Sequence, residues 1–314
     1  MFLKLGPIFL KILTALAACV LCTAPDVPAT FRPAQRPADT TMTTISPVAV
    51  GERIVFASDR DRCFYFDIYT MNGDGSDVQR LTNNIADDKS PTWSPDSQRI
   101  AFASDRTGDY EVYTMNADGS NLQQTTKNSA FDWEPVWSPK SERIAFTSNR
   151  DGNWEIYTMK SDGTDIVRVT DNNAYDWQPA WAPDGKHIVF TSDREGHWEI
   201  FVANSDGTEV KQLTHSKDDS RDPSWSMDGQ QIVFVSTRDR AWEVYVMFSD
   251  GSGVKRLTQN GAINQSPSWS PDGQRIVFES NSEILSMNPD GTNLVNISNN
   301  AAVDFHPSCT VPVK

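Results

Sequence analysis

Arg143-Ile-Ala-Phe-Thr-Ser148 is one of six nearly identical segments in this chain of 314 residues. The other five copies begin at Arg53, Arg99, His187, Gln231 and Arg275. Successive isoleucines of the six copies are 46, 44, 44, 44 and 44 residues apart. Each copy is rich in apolar and β-branched residues, which favour an extended backbone. The chain is therefore built from a repeated unit, and each unit contains at least one β-strand.

Each unit contains four strand-like runs separated by turn residues. In the unit that starts at Asp132, the runs are 135–138, 143–148, 154–159 and 166–170. The last two are joined by Ser161-Asp-Gly-Thr164, whose Asp-Gly pair suits a tight hairpin turn. A four-stranded unit with a period near 44 residues is typical of a propeller blade. We therefore predict an all-β fold, a six-bladed β-propeller of four-stranded antiparallel blades.

The two ends of the repeat indicate how the ring closes. Five units begin with Pro-x-Trp, at Pro91/Trp93, Pro135/Trp137, Pro179/Trp181, Pro223/Trp225 and Pro267/Trp269. A degraded sixth copy, Pro307-Ser-Cys309, stands at the C-terminal end, whereas residues 45–50 before the first unit contain no tryptophan. We therefore predict that residues 305–311 supply the innermost strand of the first blade, so that both ends of the chain share one sheet.

These motifs resemble a known family. The pattern of Pro267 to Phe278, together with that of Asp193 to Phe201, is similar to the WD-like repeat of the TolB propeller, and the resemblance covers roughly residues 50–312. It implies an envelope protein as partner, although the same repeat also builds the propellers of prolyl-oligopeptidase-like enzymes and oligogalacturonate lyases. We expect no counterpart of the α/β domain that precedes the TolB propeller in residues 1–49, and no hydrolase domain after residue 312.

The N-terminus has the pattern of an export signal. Lys4 and Lys11 precede a short apolar run that ends near Leu21, which is too short for a comfortable membrane span. Within it, residues 16–19 resemble a lipobox, in which Cys19 would be lipidated. Ordinary cleavage after Ala24 or Ala29, or retention of the segment as an anchor, are the alternatives. We expect a signal at 1–22, a Pro/Thr-rich tether at 23–48 and the propeller at 49–314, in the periplasm or at the cell surface.

Charge restricts the partners. The formal net charge is −14, and it becomes −16 without residues 1–22, which contain two lysines and no acid. So acidic a protein repels nucleic acid and anionic lipid headgroups. We therefore expect no nucleic-acid partner, and contact with a membrane only through a lipid anchor. Cys63 and Cys309 could form one disulfide or be buried unpaired.

Polar residues recur three positions before each proline of the inner strand. They are Asp88, Asp132, Asp176, Ser220, Asn264 and Asp304. In a propeller these positions converge on one mouth of the central channel, where carboxylates could attract a metal ion, an amine or a basic loop. The alternative is structural, because arginines recur with the same regularity at Arg60, Arg106, Arg150, Arg194 and Arg238 and could pair with the carboxylates.

Two adjacent blades depart from the repeat in the residue that follows the aspartate. Trp133 and Trp177 stand where the other blades have Lys89, Arg221, Gln265 and Phe305. Two indoles at a channel mouth suit the binding of a peptide or a sugar, since tryptophan supplies a large contact area at small entropic cost. Packing between loops is the alternative.

No constellation in the sequence indicates catalysis. The four histidines, His187, His197, His215 and His306, occupy different positions in their blades, and no pair has metal-ligand spacing. We therefore expect no metal and no cofactor. The sequence favours a non-catalytic binding module that docks a protein, peptide or glycan at the channel mouth through Asp88, Asp132, Trp133, Asp176, Trp177 and Asp304. The alternatives are a metal-dependent carbohydrate-active enzyme using His215 and His306, and a scaffold of an envelope assembly.

Overall fold

The computed structural model describes residues 51–62 and 65–310. These residues form 24 strands in six four-stranded antiparallel sheets, and no helix. The sheets are arranged as blades around a central channel that is lined by one strand of each blade. The predicted all-β six-bladed propeller is therefore confirmed.

The first strand of each blade lines the channel, and the second lies next to it. The first strands are β4 (Asp88–Trp93), β8 (Asp132–Trp137), β12 (Asp176–Trp181), β16 (Ser220–Trp225), β20 (Asn264–Trp269) and β24 (Asp304–Cys309). The second strands are β1 (Arg53–Ser58), β5 (Arg99–Ser104), β9 (Arg143–Ser148), β13 (His187–Ser192), β17 (Gln231–Ser236) and β21 (Ile276–Ser280).

The third and fourth strands complete each blade toward the outside. The third strands are β2 (Asp67–Asn72), β6 (Glu111–Asn116), β10 (Glu155–Lys160), β14 (Glu199–Asn204), β18 (Glu243–Phe248) and β22 (Glu283–Met287). The fourth, only two residues each, are β3 (Gln79–Arg80), β7 (Gln123–Gln124), β11 (Val167–Arg168), β15 (Lys211–Gln212), β19 (Lys255–Arg256) and β23 (Val295–Asn296). We number the blades by their second strands, so that β24 belongs to blade 1 and β4 to β7 form blade 2.

Blade 1 closes the ring with strands from both ends of the described chain. Its strand order is β24-β1-β2-β3, and β24 pairs with β1 in antiparallel register, with Ile54 opposite Cys309 and Ser58 opposite Asp304. The prediction that the C-terminal segment supplies the innermost strand of this blade is confirmed. The strand runs from Asp304 to Cys309 rather than over the predicted 305–311.

The second strands contain uninterrupted apolar runs because both of their faces are buried. Side chains of a strand point alternately to opposite faces. In β1, Val55 packs in a cluster with Ile100 of blade 2, whereas Ile54 packs in a cluster with Val277 of blade 6. All six blades repeat this arrangement, so the hydrophobic core consists of six layers between neighbouring blades.

Asp-Gly turns join the third and fourth strands and pack against the preceding blade. At Asp162-Gly163, the Asp162 carboxylate accepts hydrogen bonds from the backbone N–H and the hydroxyl of Thr164. Gly163 has φ +85°, and a Cβ there would lie 2.1 Å from the carbonyl oxygen of Thr125 in the blade before. Glycine is therefore required at this position both by the backbone conformation and by the close approach.

The predicted signal at 1–22, the tether at 23–48, the lipidation candidate Cys19 and one of the two body cysteines, Cys63, lie outside the described residues. Within the described ranges, no helix has the length and apolarity needed to cross a membrane.

Candidate functional site

The predicted mouth residues lie at the first position of each inner strand, on the face that we call the upper face. This face carries the loops that precede the inner strands and the loops between second and third strands. Asp88, Asp132, Asp176 and Asp304 are all completely buried there. Each carboxylate pairs with an arginine of the same blade, at 2.9 to 3.1 Å between a guanidinium nitrogen and a carboxylate oxygen.

These four aspartates hold the loops of their own blades. In blade 3, the guanidinium of Arg150 lies 5.0 and 4.9 Å from the ring centroids of Phe146 and Tyr157 and donates to Asp132. The side-chain amide of Asn128 donates to the same carboxylate. The four predicted carboxylates are therefore buried and paired with the recurring arginines, as the structural alternative describes.

The two predicted tryptophans belong to a continuous band of aromatic side chains on the upper face of blades 2 to 4. We call this band the aromatic rim. The rings in contact are those of Tyr110, Phe131, Trp133, Trp154 and Trp177, and we include in the rim the exposed Tyr175, two residues before Trp177. The ring centroids of Trp133 and Tyr110 are 4.2 Å apart, and those of Trp177 and Trp154 are 4.6 Å apart. Each tryptophan of an inner strand therefore packs against the loop of the blade before it.

The members of the aromatic rim differ in exposure. Trp177 is only 9% exposed and Trp133 is partly buried, so both form the floor of the band. Phe131 and Tyr175, one residue before the buried aspartates, are 39% and 46% exposed. The predicted site residues include the two tryptophans but not Phe131 and Tyr175, which are the two exposed members of the aromatic rim. The sequence does contain a signal for them, because the same position in the other four blades holds a residue that is not aromatic: Asp87, Asp219, Ile263 or Val303.

In blades 2 and 5, the position of Trp133 and Trp177 is occupied by a cation. Lys89 Nζ lies 4.9 Å from the ring centroid of Phe66 and 5.8 Å from that of Tyr110. The guanidinium of Arg221 lies 4.9 Å from the ring of Trp198 and 5.1 Å from that of Trp242. All four distances are in the range of cation–π contacts. The same ring of positions therefore accepts aromatic side chains in two blades and aromatic-bound cations in two others.

A second ring of variable residues lines the channel below the mouth. It is formed by the third residue of each inner strand: Ser90, Glu134, Gln178, Asp222, Ser266 and His306. All six have φ between 48° and 57°, in the left-handed region, and each lies at an irregularity in the pairing of its strand. The channel that they line has a volume of about 170 Å³. Sequence reasoning missed this ring, although each member directly precedes an inner-strand proline.

Side chains of the channel ring bind the backbone of the next blade. The Glu134 carboxylate accepts from the backbone N–H of Gln178, and the Asp222 carboxylate accepts from that of Ser266 at 2.8 Å. The Gln178 amide also donates to the Asp222 carboxylate. On the other side of the channel, Ser90 Oγ and His306 Nδ1 are 3.2 Å apart. The polar groups of this ring thus link neighbouring blades across the channel wall.

The histidines lie in separate places. His306 lines the channel, whereas His215 is exposed in the loop before β16. His197 donates from Nε2 to Glu199 and to the carbonyl of Ser216, and these bonds raise the pKa of its imidazole even though burial acts in the opposite direction. Among the described residues, no three His, Cys, Asp or Glu side chains are grouped so that they could hold a metal ion.

Comparisons with known proteins agree with this architecture. The TolB beta propeller domain family matches residues 41–134, 127–241 and 217–312, which together cover most of the chain. No curated protein matches the sequence.

Solved structures share the fold. TolB from Acinetobacter baumannii superposes with a TM-score of 0.72 at 24% identity, over 82% of this chain and 66% of its own. A putative TolB from Agrobacterium tumefaciens gives 0.65 at 22% identity, over 78% and 88%. Hydrazine synthase from Kuenenia stuttgartiensis gives 0.68 at 18% identity, over 84% and 47%. This chain thus spans slightly less than two thirds of the Acinetobacter protein, and the same fold also occurs within an enzyme.

Proposed function

This chain belongs to the TolB beta propeller domain family, and on that premise we propose that it is a non-catalytic binding module that docks a partner protein on its upper face. The docking surface is the aromatic rim at the mouth of the channel. The module works outside the cytoplasm, as the signal-like pattern of residues 1–22 favours.

The exposure of Phe131 and Tyr175 is the observation that supports this proposal. These two large aromatic side chains in adjacent blades are 39% and 46% exposed, and the ring of Phe131 lies 6.3 Å from that of Trp154. Aromatic residues grouped in this way on a surface are typical of binding hot spots. A role in the blade itself would not require them, because other blades have an acidic or aliphatic residue at the same position.

The buried aspartates support the surface from below. Asp132 and Asp176 hold Arg150 and Arg194, and these ion pairs fix the loops that carry the exposed rings. A docking surface on a rigid closed ring loses little conformational entropy when the partner binds. The aspartates therefore act as positioning residues, and the aromatic side chains make the contact.

Capture from envelope extract tests this function. The immobilised protein is compared with the double variant Phe131→Ala/Tyr175→Ala and with the control Phe248→Ala. Phe248 is 53% exposed and lies at the last position of the third strand β18, on the face opposite the upper face. We expect a protein that is retained by the parent and by Phe248→Ala and is lost with the double variant. Equal retention by all three proteins, or no retention by the parent, would contradict the proposal.

A further inference from the structure

We propose that the aromatic rim binds a basic segment of the partner, with arginine or lysine side chains seated on the rings of Phe131 and Tyr175. This inference rests on the proposed function and names the chemistry of the segment that docks.

The first argument comes from the cations that the chain places in its own upper face. In blade 2, Lys89 contacts two aromatic rings and donates to Asp87 at 2.6 Å. In blade 5, Arg221 contacts two indoles and donates to Asp219 at 2.8 Å. In each case a cation lies within 6 Å of two aromatic ring centroids, and a carboxylate two residues earlier in the sequence accepts a hydrogen bond from it. This face therefore binds cations within the chain itself.

Blades 3 and 4 replace both members of this pair. Phe131 and Trp133 stand at the positions of Asp87 and Lys89, and Tyr175 and Trp177 stand at the same positions in the next blade. Blades 3 and 4 therefore lack the internal cation, and an exposed aromatic ring stands at the position of the carboxylate. Aromatic faces attract cations through the ring quadrupole, and arginine is the side chain found there most often. The indoles of Trp133 and Trp177 fill the place of the internal cation, so a cation supplied by a partner would lie on the exposed rings of Phe131 and Tyr175.

The second argument is the charge around the aromatic rim. The surrounding loops carry the acidic residues Asp105, Asp109, Asp151, Asp171, Asp193 and Glu195. Their basic residues are Arg106, Arg150, Arg194 and Lys127, and the three arginines are taken up by the buried aspartates Asp88, Asp132 and Asp176. Arg168 reaches this region from β11 and lies 2.9 Å from Asp171. An excess of negative charge remains, and it attracts a basic segment and repels an acidic one.

The test uses two peptides of equal length, one alternating glycine with arginine and the other glycine with citrulline. Citrulline keeps the shape of arginine but carries no charge. Binding to the purified protein is measured by calorimetry and by the shifts of the indole N–H signals in NMR spectra. We expect the arginine peptide to bind about tenfold more tightly, corresponding to one cation–π contact at each of two rings.

The matched variants are Phe131→Leu/Tyr175→Leu, which keeps apolar bulk but removes both rings, and Phe248→Leu on the other face. We expect the double variant to bind the arginine peptide about tenfold more weakly and the control to bind it as the parent does. If the double variant does not fold, Tyr175→Leu alone is used, because nearly half of that side chain lies outside the packed interior.

Equal binding of the two peptides, or unchanged binding by the double variant, would overturn the inference. So would a shift of the rim indole signals by a neutral oligosaccharide such as maltohexaose in the absence of any shift by the arginine peptide. If the arginine peptide fails while the envelope partner is still lost with Phe131→Ala/Tyr175→Ala, the proposed function stands and only the basic segment is wrong.

Discussion

Arg60 and Asp304 form an ion pair across almost the whole described chain, with 2.9 Å between a guanidinium nitrogen and a carboxylate oxygen. Asp304 is completely buried, and the side chain of Arg60 is 18% exposed. In blades 2 to 4 the corresponding arginine and aspartate are close in sequence, as are Arg150 and Asp132, which are 18 residues apart. In blade 1 the pair joins residues 244 positions apart, because β24 comes from the C-terminal end. This pair therefore ties the two ends of the ring together.

Asp304→Asn should destabilise the protein. The variant keeps the shape of the side chain but leaves Arg60 without its charge partner, at an expected cost of about 2–3 kcal/mol, somewhat below the value for a fully buried pair. The measurement is urea denaturation. The control is Asp77→Asn, which breaks the exposed pair with Arg53 and should cost less than about 1 kcal/mol. Equal unfolding midpoints for the two variants would show that the closing pair adds no more stability than the exposed pair of Arg53 and Asp77.

Gly163→Ala should be more damaging than Gly152→Ala, although both glycines have positive φ. At Gly152, φ is +107° and nothing lies within 4 Å of the new Cβ, so backbone strain of about 1–2 kcal/mol is the whole cost. At Gly163 the Cβ also meets the backbone of Thr125 in the preceding blade, and we expect about 2–5 kcal/mol in total. Thermal and urea unfolding of the two variants measure the difference in their stability. Equal stability would contradict the close packing of the Gly163 turn against the preceding blade.

Stability should depend on pH through His197. Its pKa is raised in the folded protein, so its contribution is fully present below the unfolded value, about 6.5, and is lost as pH rises through the folded value. In blade 3 the neutral Asn153 makes the corresponding bonds to Glu155 and to backbone carbonyls. His197→Asn should therefore remove this pH dependence.

The free energy of unfolding is measured for the parent and for His197→Asn at one pH below neutral and one above it. We expect the parent to lose stability relative to His197→Asn as the pH is raised from about 6 to about 8. A difference between the two proteins that stays constant over this range, or that grows in favour of the parent, would be inconsistent with a raised pKa.

Ring closure could be predicted from the sequence because it depends on spacing. Pro307 keeps the position that proline has in the other units, and the first unit lacks this strand, so one segment fits one gap. The apolar second strands could be recognised for a similar reason. Burial on both faces leaves an uninterrupted apolar run such as Ile54-Val-Phe-Ala57.

The candidate site was harder to predict because it is assembled between blades. Trp133 belongs to β8, but its ring packs against Tyr110 of the blade before, and the sequence does not state which loops meet. The position of Asp132 in the repeat does not show whether its side chain is buried or exposed at the channel mouth, because the arginine that covers it comes from a different loop. The left-handed channel residues were also unexpected, because the residue before a proline normally adopts an extended conformation.

Photocrosslinking from the upper face in intact cells tests the binding function most directly. A benzophenone amino acid replaces Phe131 in one variant and Phe248 in another, and adducts are identified by mass spectrometry after irradiation. We predict a discrete protein adduct from position 131 that is absent from position 248. No adduct from position 131, or the same adduct from both positions, would contradict docking at the aromatic rim.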